Sequence, residues 1–286
     1  MRPRQETGAP QFSIITPSFR SLQWLKLCVA SVADQQGVEL EHIVQDACSD
    51  DGTPDWLRNE PRVKAFIEKD QGMYDAINRG FDRATGDILA WLNCDEQYLP
   101  GALQKVRYYF AEHPRTDVVL SDSIVTDEEG NYLCHRCSLV PRKYQTWVRF
   151  PVLSSGLFIR RKVVQEMGIH FDTQWRALGD LFLIREMILR GVRFEVLRQL
   201  TSVFADTGDN LCVKPVGVRE QKRKWEMTPR WVKLLKYPFI VLYRLRLAAR
   251  GASFRRPFDY SLYTLGSPSA RVTRRAARPT SRWPGR

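Results

Sequence analysis

The sequence lacks both of the glycine-rich loops that most often cradle phosphate groups. Neither G-x-G-x-x-G nor G-x-x-x-x-G-K-[ST] occurs among its 17 glycines, and these patterns mark dinucleotide-binding folds and P-loop enzymes. A dehydrogenase or a P-loop enzyme is therefore a poor fit. If the protein binds a phosphorylated ligand, another group must neutralise the phosphates, and adjacent acids that hold a divalent cation could do so.

Cysteines and long apolar segments are also scarce. The six cysteines show no disulfide spacing, and Cys134 and Cys137 supply at most half of a zinc site. The N-terminus has no apolar segment of signal-peptide length, so we expect a cytoplasmic protein. In the C-terminal third, the longest uncharged stretch, 237–243, is far shorter than the roughly 20 residues needed to span a bilayer.

Acidic residues are nearly missing from the C-terminal end. From Gly251 onward there are eight arginines and one acid, so this stretch carries +7 of the net charge of +12 and the remainder only +5. Such a tail suits an anionic surface, either membrane lipid or nucleic acid, or is a solvated disordered end. No nucleic-acid-binding module is recognisable. We therefore expect residues 251–286 to be disordered and no nucleic-acid partner.

Strand-like and helix-like stretches alternate in the first part of the chain. Apolar runs at 12–16, 40–45 and 88–92 are separated by segments with helical spacing, such as 22–32 and 73–84. This alternation predicts an α/β fold with a mostly parallel central sheet and right-handed crossovers.

Two adjacent acids follow the apolar run 88–92. Asn93 comes first, and Asp95 and Glu96 then stand where ligands bind in open α/β sheets. Two carboxylates there could hold a hard divalent cation, which in turn holds a diphosphate; alternatively, one of them caps the next helix. Asp46 ends another predicted strand at the same edge. Asp46 either contacts a nucleobase or ribose or forms part of a turn.

The segment 213–250 mixes basic residues with tryptophan, tyrosine and leucine. This composition predicts amphipathic helices, divided or kinked at Pro238. Such helices could lie in the headgroup region of an anionic membrane, or they could pack as a hairpin on the rest of the chain. The sequence favours neither arrangement.

Six motifs, in this order, resemble those of the family-2 glycosyltransferases of the GT-A fold, particularly the bacterial polysaccharide-type branch. They are I-I-T-P-S-F (14–19), D-A-C-S-D-D-G-T (46–53), D-Q-G-M-Y-D-A-I-N-R-G (70–80), L-N-C-D-E (92–96), S-S-G-L-F-I-R-R (154–161) and G-D-L-F-L-I-R (179–185). The resemblance implies a GT-A domain over 12–212, preceded by a flexible N-terminus at 1–11 and followed by the helical segment 213–250.

The resemblance also implies a role for individual residues. Those at positions of donor nucleotide binding are Thr16, Pro17, Ser18, Asp46, Asp51, Asp70, Asn78, Arg79 and Asn93. Asp95 and Glu96 fall on the motif that binds Mg²⁺ or Mn²⁺, where the family more often has two aspartates. Asp180, which stands before an apolar helix, falls on the catalytic base; its position alone favours a helix cap.

The implied activity is an inverting, metal-dependent transfer of a sugar from a nucleoside-diphosphate donor, with a UDP-sugar favoured. The acceptor would be a hydroxyl of a glycan or lipid-linked glycan in cell-surface polysaccharide synthesis. An inactive relative that binds a sugar nucleotide or serves as a scaffold is the alternative, and Glu96 is the feature that favours it. Because acceptors in the family are often lipid-linked, we expect a peripheral location on the cytoplasmic face of the inner membrane.

Overall fold

The computed structural model describes residues 11–208, 211, 213–252 and 255–283. Most of the N-terminus that was predicted to be flexible, and Cys212 at the predicted domain boundary, lie outside these residues. The strands are β1 (Phe12–Ser18), β2 (Leu40–Asp46), β3 (Lys64–Ile67), β4 (Ile88–Trp91), β5 (Glu96–Tyr98), β6 (Val118–Thr126), β7 (Tyr132–Arg136), β8 (Leu157–Arg160), β9 (Phe194–Ala205), β10 (Phe258–Thr264) and β11 (Ser267–Ala276). The helices are α1 (Leu22–Ala33), α2 (Thr53–Arg58), α3 (Met73–Arg83), α4 (Ala102–Glu112), α5 (Arg161–Gln165), α6 (Gly179–Leu189), α7 (Pro215–Met227), α8 (Arg230–Leu234) and α9 (Lys236–Ala249).

A nine-stranded sheet runs through the structure in the order β3-β2-β1-β4-β8-β6-β9-β5, with β7 paired to β6. Strands β3, β2, β1 and β4 are parallel to one another. Beyond β4 the sheet is mixed, because β8 is antiparallel to both of its neighbours and β9 is parallel to β6. The predicted α/β fold is confirmed, and the predicted parallel order holds for the first four strands.

The central strands β1 and β4 are buried along their whole length. On one face of the sheet, Ile15 packs in a cluster with Phe81 of α3, and on the other face Ile14 packs with Val106 of α4. Successive residues of a strand point to opposite faces, so helices on both sides cover the strand completely. This explains why the run at 88–92 contains no charge.

The strand register brings the C-terminal ends of the parallel strands to one edge. Ser18 at the end of β1 pairs with Asp46 at the end of β2, while Ile15 pairs with Trp91 at the end of β4. The polar residues that follow β1, β2 and β4 therefore emerge close together, as the sequence predicts.

The prediction of a disordered end at 251–286 is wrong for residues 258–276, which form the antiparallel hairpin β10–β11. Tyr260 and Leu262 are buried in an apolar cluster with Val203 of β9. Arg271 donates two hydrogen bonds to the Asp34 carboxylate, at 2.6 and 2.7 Å. The alternate apolar residues of the hairpin and the ion pair of Arg271 with Asp34 therefore order a segment whose composition suggested disorder.

The segment 213–250 forms the helices α7, α8 and α9, with breaks at Thr228–Pro229 and at Leu235, and Pro238 lies inside α9. Tyr243 is buried, and Arg246 donates to the carbonyl oxygen of Val140 at 2.7 Å, so one side of α9 packs on the domain. Within the described ranges, no helix combines the length and apolar character needed to cross a bilayer.

Candidate active site

A cleft of about 1120 Å³ lies where β1 and β4 end. Six of the residues predicted from the sequence line it, namely Pro17, Ser18, Asp70, Asn93, Asp95 and Asp180. Asp95 follows the central strand and Asp180 lies on α6, so two acids from separate parts of the chain share one cleft. The chemistry predicted from the sequence depends on this juxtaposition.

Asp46 does not line the cleft but shapes one of its walls. Its carboxylate is fully buried and accepts hydrogen bonds from the backbone N–H and the hydroxyl of Ser49, at 2.9 and 2.7 Å. These bonds close the turn whose residues Ala47 and Cys48 form the wall. Direct contact between Asp46 and a nucleotide stays a prediction.

Thr16 and Asp51 also support the site from outside the wall. The Thr16 hydroxyl lies 2.8 Å from Nε2 of the buried His42. The Asp51 carboxylate accepts from the backbone N–H groups of Leu22 and Thr53, at 3.0 and 3.1 Å, and so joins the starts of α1 and α2. For both residues, donor contact stays a prediction, and the observed bonds position the loop that follows β1.

Asn78 and Arg79 lie on α3, behind the wall formed by residues 69–74 and 76. The Asn78 amide bonds both the N–H and the C=O of Phe171 at 2.9 Å. Arg79 forms ion pairs with Asp75 and Glu68, at 2.9 and 3.2 Å. These side chains hold α3 in place, and their contact with a donor stays a prediction.

The two adjacent acids of the predicted metal motif separate in the structure. Asp95 lines the cleft, whereas Glu96 is fully buried and lies outside the lining. Its carboxyl group accepts from the Asn93 N–H at 2.8 Å and the Ser154 hydroxyl at 3.1 Å. Burial, with the nearby charge of Asp95, raises the pKa of Glu96 to about 8. Glu96 thus bonds two residues of the cleft wall, and joint binding of a metal ion by Asp95 and Glu96 stays a prediction.

A hard divalent cation nevertheless fits this corner of the cleft. The Asp95 carboxylate and the Asn93 amide supply oxygen atoms, and Oδ1 of Asn93 is buried without a hydrogen-bond partner in the described structure. Mg²⁺ commonly binds through one or two side chains plus substrate phosphates and water. No group of three or more His, Cys, Asp or Glu able to hold a metal occurs in the described ranges, so donor phosphates and water would have to complete the coordination.

Asp180 is placed at the cleft by a close helix contact. A Cβ atom on Gly179 would come within 2.5 Å of the Tyr74 ring, and Tyr74 stacks on Phe171 with 4.7 Å between ring centroids. The N-cap position of α6 is Leu178, so Asp180 lies inside the first turn and is not the cap. Burial raises the pKa of Asp180 to about 6, which leaves it ionised at neutral pH and suited to accept a proton.

Sequence reasoning missed Glu220, a buried acid on α7. Its carboxylate accepts three backbone hydrogen bonds from the loop before α6, from Arg176, Ala177 and Leu178 at 2.6, 2.9 and 3.0 Å. The loop leads directly to Asp180, so Glu220 positions the start of α6. The only signal in the sequence is a lone acid among the basic residues of 214–224.

Three cations on the cleft wall were also missed, Lys69, Arg176 and Lys214. A Cβ atom at Gly72 would come within 2.2 Å of the Arg176 guanidinium, and the positive φ of Gly72 also favours glycine. Guanidinium and ammonium groups bind phosphate oxygens strongly. These side chains supply positive charge at a site that has no glycine-rich loop.

The sheet order and the acid at the end of its central strand define the GT-A class of nucleotide-sugar transferase folds. The structure is similar to S. aureus TarS 1–349 in complex with UDP-GlcNAc, with a TM-score of 0.60 at 18% identity, covering 75% of this chain and 64% of that one. It is also similar to the mannosyltransferase PcManGT from Pyrobaculum calidifontis in complex with GDP-Man and Mn²⁺, with a TM-score of 0.53 at 16% identity, covering 87% and 77% of the two chains.

The chain belongs to glycosyl transferase family 2, whose family model matches residues 13–201. It is 36% identical over 125 residues to a PGL/p-HBAD biosynthesis glycosyltransferase of Mycobacterium bovis, covering 41% of this chain and 48% of that protein. It is 32% identical over 108 residues to a teichuronic acid biosynthesis glycosyltransferase of Bacillus subtilis, covering 36% and 43%. The third relative is the GalNAc(5)-diNAcBac-PP-undecaprenol beta-1,3-glucosyltransferase of Campylobacter jejuni, at 33% over 100 residues, covering 33% and 32%. The chain spans less than half the length of these relatives.

Replacing each acid of the adjacent pair by its amide should separate their roles. We expect Asp95→Asn to weaken Mn²⁺-dependent binding of UDP at least tenfold, because it removes a charged oxygen from the cleft wall. Glu96→Gln should bind UDP and Mn²⁺ like the wild type, because Glu96 does not line the cleft and an amide can still bond Asn93 and Ser154. Isothermal titration calorimetry with and without Mn²⁺ measures both effects. Equal losses in the two variants would contradict the separation.

Glu220→Gln should lower turnover about tenfold, because an amide cannot hold the three backbone N–H groups as a carboxylate does. Burial is the main cause of the raised pKa of Asp180, and the charge of Glu220 adds to it. The variant should therefore also move the acid limb of the pH–rate profile to lower pH. The exposed Glu226 of the same helix provides the control Glu226→Gln, which should change neither quantity. A slower Glu220→Gln enzyme with an unmoved acid limb would leave Glu220 as a stabilising residue only.

Proposed function

We propose that the protein is an inverting glycosyltransferase that moves a sugar from a nucleoside-diphosphate donor, with a UDP-sugar favoured, to a hydroxyl of a glycan or lipid-linked glycan. The observation that carries this proposal is the presence of Asp95 and Asp180 on the wall of one cleft. The names of the relatives, which include an enzyme acting on an undecaprenol-linked glycan, support a role in cell-surface polysaccharide synthesis.

The donor would lie along the rim of the sheet. Its nucleoside would occupy the end lined by Pro17, Ala47 and Asp70, and its diphosphate would lie beside Asn93 and Asp95. Mg²⁺ or Mn²⁺ bound there would neutralise charge on the leaving diphosphate. Arg176 and Lys69 add positive charge to the cleft wall.

Asp180 would act as the general base. As the acceptor hydroxyl oxygen attacks the anomeric carbon, its proton passes to the Asp180 carboxylate. The bond between the anomeric carbon and the phosphate oxygen breaks in the same step, and the nucleoside diphosphate leaves with that electron pair. Attack from the face opposite the leaving group inverts the configuration of the sugar.

Asp180→Asn should keep donor binding but lose turnover by a factor on the order of 10²–10⁴, the usual contribution of a general base. In the wild type, kcat/KM should rise with pH through about 6, because Asp180 must be ionised and burial raises its pKa to about 6. Donor hydrolysis and transfer assays over a pH series measure both. Near-normal turnover by Asp180→Asn would refute the assignment.

We further propose that α8 and α9 bind an anionic membrane surface. Leu234, Tyr237, Val241 and Leu245 are 81, 72, 54 and 61% exposed, although the opposite side of α9 packs on the domain. Exposed basic residues flank this apolar face, namely Arg230, Lys236 and Arg244. Apolar residues bordered by basic ones are typical of helices that lie in the headgroup region.

Wild-type protein should float with vesicles rich in phosphatidylglycerol and should be released at high salt. The double variant Leu234→Glu/Leu245→Glu should remain unbound, because it places acids in the apolar face. Leu189→Glu is a matched control, since Leu189 is 55% exposed at the end of α6. Equal flotation of the double variant and the wild type would contradict the proposed surface.

A further inference from the structure

At the end of the cleft away from the nucleotide pocket, three of the lining residues follow the family match at 13–201. The wall continues from Asp95 to the end of β9, where the backbone N–H of Ala205 donates to the Asp95 carbonyl oxygen at 3.3 Å. Phe204 and Thr207 line this end, together with Glu128 and, from the far end of the chain, Trp283.

The Trp283 ring is held in one orientation by its neighbours. Its Nε1 donates a hydrogen bond to Asp206 at 2.8 Å. Its face is close to perpendicular to the Phe204 ring, with 5.7 Å between centroids and an interplanar angle of 73°. The Arg136 guanidinium lies over the ring, 6.0 Å from its centroid, and the partly buried ring forms part of the cleft wall.

The segment that carries Trp283 is tied to the sheet. The backbone N–H of His135 in β7 donates to the Thr280 carbonyl oxygen at 2.9 Å. The Thr280 N–H in turn donates to the Tyr132 hydroxyl at 3.1 Å. The chain after the hairpin β10–β11 is thus fixed against β7, and this delivers Trp283 to the cleft.

We propose that Trp283 forms a binding platform for a pyranose ring of the acceptor. This rests on the proposed function, which places the donor from the Asp46 turn to Asp95 and leaves the β9 end for the second substrate. A pyranose has an apolar face of C–H groups and a polar edge of hydroxyls. Trp283 and Phe204 supply an apolar surface, and Glu128 and Thr207 supply groups that bind hydroxyls.

Saturation-transfer-difference NMR tests this proposal. It measures binding of a panel of methyl hexopyranosides and their disaccharides with UDP and Mn²⁺ present. Trp283→Ala should weaken binding of the glycosides that wild-type protein binds by about tenfold. Trp283→Phe should bind these glycosides within about threefold of wild type, because it keeps an aromatic face. The small loss would come from the missing hydrogen bond to Asp206. The exposed Tyr108 on α4 gives the control Tyr108→Ala, which should bind like wild type.

A thermal-shift measurement with UDP-sugars on the same variants separates the two proposals. If UDP-sugars stabilise every variant while Trp283→Ala binds glycosides like wild type, the platform is wrong and the proposed function stands. If wild-type protein with UDP bound accepts no glycoside of the panel, the platform is likewise wrong. If no UDP-sugar stabilises the wild type, the proposed function fails and the platform falls with it.

Discussion

Burial of β4 on both faces is the constraint on which the rest of the structure depends. Because helices cover both sides, Ile88–Trp91 can contain only uncharged residues, and polar groups first become possible where the strand leaves the sheet. Parallel pairing with β1 sets that exit at the edge where β1 and β2 also end. Asn93 and Asp95 are therefore delivered to a cleft that α6 completes with Asp180.

The features that sequence reasoning predicted correctly are those with a local pattern. The uncharged run before Asn93 and the helical spacing of α3 show directly which residues pack in the core. The parallel half of the sheet could therefore be predicted from the sequence. Glu96 could not be assigned in this way. Asp95 lies in the turn after β4, whereas Glu96 is the first residue of the fully buried β5, so the two adjacent acids do not both face the cleft. Only Asp95 does, and Glu96 binds Ser154 behind it.

Long-range partners account for the features that were missed. Glu220 acts on the backbone N–H groups of Arg176 and Leu178, more than 40 positions away. The arginine-rich end suggested disorder because the sequence does not show which acidic residues its arginines pair with. In the structure, the buried Asp122 accepts hydrogen bonds from Arg250 and Arg255, and Arg271 pairs with Asp34. No pattern in the sequence marks which acid each arginine meets.

We propose that a single carboxylate, Asp180, drives one displacement at the anomeric carbon of the donor sugar. The most direct measurement is the configuration of the anomeric carbon in the first product formed from an α-linked UDP-sugar, followed by ¹H NMR before mutarotation. We predict that the released or transferred sugar first appears as the β anomer. An α product would require two displacements or a front-side attack, and would contradict the role given to Asp180 and the geometry of the cleft.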